Sequence, residues 1–114
     1  MNLPLRILFW LGLAVAVALA AMPHPPHMLD GIWDKAQHMG AFAVLALACA
    51  MAYPQTPLLR IGERLSFLGA MIELVQSIPA VGRDCDIRDW LADTFAIAVT
   101  LALVAMARRR RQRR

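Results

Sequence analysis

Residues 90–107 read WLADTFAIAVTLALVAMA, eighteen positions with one ionisable side chain, Asp93. As α-helix this stretch spans about 27 Å at 1.5 Å per residue, close to the roughly 30 Å hydrocarbon core of a bilayer. A carboxylate inside such a run costs roughly 2.5–3.5 kcal/mol on insertion scales, so Asp93 is a functional-site candidate. Three further apolar runs lie upstream: residues 7–22 without a charge, residues 39–53, and residues 65–78 interrupted by Glu73 and Gln76. Prolines punctuate them, with Pro23, Pro25 and Pro26 after the first, Pro54 and Pro57 after the second, and Pro79 with Gly82 after the third. Proline lacks the N–H and clashes with the preceding turn, so each cluster ends a helix. The pattern predicts an all-α protein: a polytopic membrane protein built as a four-transmembrane-helix antiparallel bundle. Its helices are expected at about 3–22, 36–53, 62–78 and 88–107, in a single domain over 1–114 with a basic tail at 108–114. Gly62-Glu63 would then give the third helix an acidic first turn, which the helix dipole favours.

Composition agrees with a membrane class. The chain of 114 residues is 60% hydrophobic, against roughly 45–50% for a soluble domain. The net charge of +4 is concentrated, since six of the twelve basic residues fall within positions 108–114. The remainder is slightly acidic, so nucleic acid is not an expected partner: such a binder spreads Lys and Arg over a folded face. Cys49 and Cys85 sit in no metal-binding or redox spacing and are expected to be free thiols. The first run also has signal-peptide features, with Arg6 ahead of it and Ala18-Leu19-Ala20 in the small-x-small form. We read it as an uncleaved helix, because a single basic side chain precedes a run at the upper length limit.

Lys and Arg counts set the expected orientation. With four spans, the side holding both termini and the loop between the second and third runs carries Arg6, Arg60, Arg64 and the six tail arginines. The other side carries Lys35, Arg83 and Arg88. Both termini are therefore expected in the cytoplasm, with the chain multi-pass in the cytoplasmic (inner) membrane. Membrane lipids are the expected partners, and the arginine tail is expected to lie on anionic lipid. Trp10, Trp33 and Trp90, near the ends of the runs, are expected as interface anchors.

The ionisable residues form three stripes. Asp34, Lys35 and His38 are spaced to share a face of the second helix. Glu73 and Gln76 are three apart on the third. Asp86, Asp89 and Asp93 run along the start of the fourth, preceded by Arg83 in the loop. Lipid rejects such stripes, so they should turn toward each other near the outer boundary. Arg83 suits a central place because its planar fork binds carboxylate or phosphate through two contacts.

Asp34-Lys35-x-x-His38-x-x-x-Phe42, Glu73-x-x-Gln76 and Arg83-x-x-Asp86-x-x-Asp89, in this order, resemble the VanZ-like family of small bacterial membrane proteins. The resemblance covers residues 33–100, about sixty per cent of the chain. Where the family pattern continues with Asn and then Gly, this chain has Asp93 and Ala96. The resemblance implies a bacterial membrane fold and a site, and no reaction.

The expected site comprises Asp34, Lys35, His38, Glu73, Gln76, Arg83, Asp86, Asp89 and Asp93 as ligand-binding residues. The hypothesis is an outward-facing pocket for an anionic lipid headgroup or cell-envelope precursor. One alternative is an enzyme acting on a lipid-linked substrate, with Glu73 or Asp93 as general base and His38 as acid. Another is a structural protein whose stripes only dock helices, at modest gain. GxSxG, P-loop and HExxH motifs are absent and serine occurs only at Ser66 and Ser77, so a serine-nucleophile enzyme is not expected. No cofactor and no metal are expected, since His24-Pro-Pro-His27 is poor scaffolding for ligand geometry. An oligomer is compatible with the sequence.

Overall fold

Each apolar run becomes a helix. The computed structural model describes residues 3–20, 32–76 and 87–113, with side chains for 3–19, 36–75 and 87–113. The helices are α1 (Leu3–Ala20), α2 (Ile32–Ala52), α3 (Leu58–Gln76) and α4 (Ile87–Gln112). Among the described residues there is no strand. By length and composition, one of these helices, α4, is long and apolar enough to cross a membrane. α3 is diluted by Arg60, Glu63 and Arg64 in its first half.

Three boundaries depart from the sequence expectation. α2 begins at Ile32, so Asp34 and Lys35 lie in its first turn. α3 begins at Leu58, where the Pro57 carbonyl accepts the first bond from the Ile61 N–H at 3.2 Å. Pro57 therefore opens the helix, and Gly62-Glu63 falls in the second turn. The first turn of α3 contains no acid, which corrects the expected dipole role for Glu63. α4 runs on through Arg108 to Gln112 instead of releasing a tail. Arginine is a good helix former, and cations near a helix C-terminus meet its negative end.

Successive helices alternate in direction. Arg6 near the start of α1 and Arg108 near the end of α4 both reach the last turn of α2. Trp90 at the start of α4 reaches Ser66 in α3. α2 is central, and its most extensive interface is with α4, which runs parallel to it. α1 packs mainly on α2, with a smaller contact on α3. Ala46 and Ala50 of α2 are fully buried and belong to one core with Ile97 and Leu101 of α4. Small residues at a helix interface let the backbones approach closely, which accounts for the tight parallel pair.

The end of the bundle holding both chain termini is closed by arginine. Arg6 Nε donates to the Ala52 carbonyl at 3.1 Å, and Arg108 donates to the Ala50 carbonyl at 3.0 Å. These are among the last four carbonyls of α2, which have no partner within the helix. The Arg6 guanidinium also lies 4.5 Å from the centre of the Tyr53 ring. Trp10 Nε1 donates to the Tyr53 hydroxyl at 2.8 Å, and Phe9 packs edge-on against both rings.

Candidate functional site

The opposite end of the bundle holds the carboxylates. Its geometry is set at Gly69, where three helices meet. A Cβ placed there would lie 3.4 Å from Trp90 Cδ1 and 3.5 Å from Phe42 Cζ. One turn outward along α2 from Phe42 is His38, and one turn outward along α3 from Gly69 is Glu73. On α4, Asp89 and Asp93 flank Trp90 in the chain. Four expected site residues from three helices thus each lie within about one turn of this junction.

Burial separates them. Glu73 is 7% exposed and Asp93 is 3% exposed, while His38 and Asp89 are half-buried. A buried carboxylate is tolerated only with compensating polar contacts. His38, Glu73, Asp89 and Asp93 each make at least one polar, ionic or ring interaction. Asp93 Oδ1 itself is enclosed and accepts no hydrogen bond among the described residues. Among those residues no three His, Cys, Asp or Glu side chains are grouped to hold a metal ion.

Asp34, Lys35 and Gln76 occupy the outer ends of α2 and α3, and their side chains lie outside the described residues. Arg83 and Asp86, with Cys85, His24 and His27, lie wholly outside them. Cys49 is a free thiol.

The contact between α3 and α4 below this junction is polar at one point. Ser66 and Thr94 share a hydroxyl hydrogen bond of 2.9 Å, and Trp90 Nε1 donates to the Ser66 carbonyl at 2.9 Å. Trp90 is therefore a half-buried lock between α3 and α4. Sequence reading missed this lock. Its signal is the run of small residues Gly62, Ser66, Gly69 and Ala70 on α3, which leaves room for a large ring from a neighbour. Gly62 marks a second close approach, since a Cβ there would meet Leu101 Cδ1 at 3.2 Å.

The charge distribution is divided between the ends. Arg6, Arg60, Arg64, Arg108 to Arg111 and Arg113 occupy the terminus-bearing end, with Glu63 among them. Glu73, Asp89 and Asp93 occupy the other, with Arg88 exposed beside them. Chemically, the carboxylate end can orient cationic side chains, accept hydrogen bonds from a ligand, or exchange protons with it. No family model, curated protein or solved structure matches the chain. The VanZ-like resemblance accordingly rests on the three motifs that carry it.

Proposed function

We propose that this chain is a VanZ-like multi-pass protein of the bacterial cytoplasmic membrane, with both termini in the cytoplasm. Its carboxylate end binds the phosphate-bearing headgroup of an anionic lipid or cell-envelope precursor. Arg83 and Lys35 pair with the phosphate, Asp34, Glu73, Asp89 and Asp93 orient those cations or handle protons, and His38, Gln76 and Asp86 complete the binding set. An acid-rich lining accepts an anion only through such cations, and arginine offers the two-pronged geometry phosphate needs.

The observation that carries this reading is an inversion of polarity. All four helices expose large apolar side chains, among them Leu8, Val44, Phe67 and Phe95, while Glu73 and Asp93 are buried. Soluble monomers rarely expose apolar surface so continuously. A body extending 52 × 27 × 24 Å also suits a bilayer of about 40–45 Å including headgroups.

The test uses the full chain in detergent with glycerol 3-phosphate as headgroup probe. At a probe concentration of 100 Kd, binding raises stability by about 2.7 kcal/mol. Glu73→Gln and Asp93→Asn should abolish that gain while shifting unliganded stability by less. A purely structural role predicts the reverse: lower unliganded stability with the probe response intact. A second reading is favoured by half-buried His38, within about a turn of the same three-helix junction as buried Glu73 and Asp93. There the same groups act as acid and base on a lipid-linked substrate. Turnover of such a substrate that disappears in Glu73→Gln would select it.

A further inference from the structure

We propose that the groove between α3 and α4 holds the hydrocarbon chain of the ligand whose headgroup sits at the carboxylate end, an inference that rests on the reading just given. The ligand is then a long-chain amphiphile gripped along its tail as well as its head.

The groove encloses about 750 Å³, within the roughly 300–1,000 Å³ usual for small-ligand sites. Small residues four apart line it on both helices: Gly62, Ser66 and Ala70 on α3, and Thr94, Ala98 and Ala102 on α4. Its polar groups are satisfied internally, because Ser66 and Thr94 bond each other and the Trp90 indole is taken by the Ser66 carbonyl. An occupant therefore meets hydrocarbon and closed hydrogen bonds over most of its course. Glu63, the charged lining residue, is exposed at the arginine end.

Length and continuity favour a chain. The lining runs from Leu58 to Ala70 and from Trp90 to Ala105, about 18–22 Å at 1.5 Å per residue. One leaflet of hydrocarbon is about 15 Å deep, so a tail filling the groove crosses its own leaflet. At the upper end, Ala70 lies one turn from Glu73, and Trp90 sits between Asp89 and Asp93 in the chain. Head and tail sites therefore adjoin. Phe67, 67% exposed, stands on the α3 rim between Ser66 and Ala70.

The test compares retention of dioleoyl and dioctanoyl phosphatidylglycerol by the full chain in detergent, using native mass spectrometry. With both lipids supplied at equal mole fraction in the micelle, the wild type should retain the long chain in preference to the short one, because packing drives association in an apolar medium. Ala98→Trp and, as an exposed substitution with less added bulk, Ala102→Leu should each erase that preference. Unchanged preference in both folded variants would overturn the groove assignment. If glycerol 3-phosphate still protects them, the headgroup reading survives. A wild type that responds to neither probe would overturn both. A wild-type dimer lost in Ala98→Trp, with lipid retention unaltered, would give the groove to a second copy of the chain and also overturn the proposal.

Discussion

The two ends of this bundle handle charge in opposite ways. At the terminus-bearing end the described arginines are carried on the surface, and Arg6 and Arg108 are absorbed by the open carbonyls of α2. At the other end the carboxylates of Glu73 and Asp93 are drawn inside, among three helices. Arginine at a helix C-terminus solves a problem that every helix has. Burying carboxylates creates a problem, since each must be desolvated and satisfied. The first arrangement is structural housekeeping, and the second is where a function is to be sought.

The largest effect should come from asking whether the ends face different compartments. Alkaline phosphatase fused after Met28 or Gly82 should be active, and fused after Gln55 or Arg113 inactive, an all-or-none contrast. Activity at all four points would remove the membrane frame of the comparison. Gly69→Leu comes next. It adds bulk where Phe42 and Trp90 already meet, and overpacking of this kind costs about 1–3 kcal/mol. Thermal unfolding in detergent should show it, with weakened response to glycerol 3-phosphate as the carboxylate end is pushed apart. Arg6→Ala acts at the opposite end. Losing one hydrogen bond to Ala52 and the stacking on Tyr53 should cost about 1–2 kcal/mol, and the probe response should persist. A lost probe response in Arg6→Ala would erase the functional distinction between the ends. Trp10→Phe should be the mildest. It removes an exposed hydrogen bond to Tyr53 while keeping an aromatic ring beside Phe9, for under about 1 kcal/mol, measured by the same melting curve.

The carboxylate end was more legible in the sequence than the arginine end. Proline clusters and apolar runs predict four helices, and the three- and four-residue spacings put ionisable groups on stripes. Alternating helix direction then brings His38, Glu73, Asp89 and Asp93 to within about a turn of the junction at Gly69. What the sequence concealed depends on partners distant in the chain. Arg6 turns onto Ala52 because α1 lies beside the end of α2, and no local pattern encodes that. Trp90 becomes a lock because Gly69 and Ser66 leave it space on another helix. α3 starts at Leu58 because Pro57 opens a helix as readily as it ends one. The arginine run looked like a loose tail by composition, yet its intrinsic propensity continues α4 by more than a turn.

The central claim is that the carboxylate end binds an anionic headgroup through Arg83. The most direct measurement is native mass spectrometry of the full chain released from membranes with its lipid. Wild type should retain an anionic lipid, and Arg83→Ala should lose it. Removing a charged hydrogen-bonding group worth about 1.5–3 kcal/mol weakens binding by about 10- to 100-fold. Equal retention by a folded Arg83→Ala protein would contradict the account.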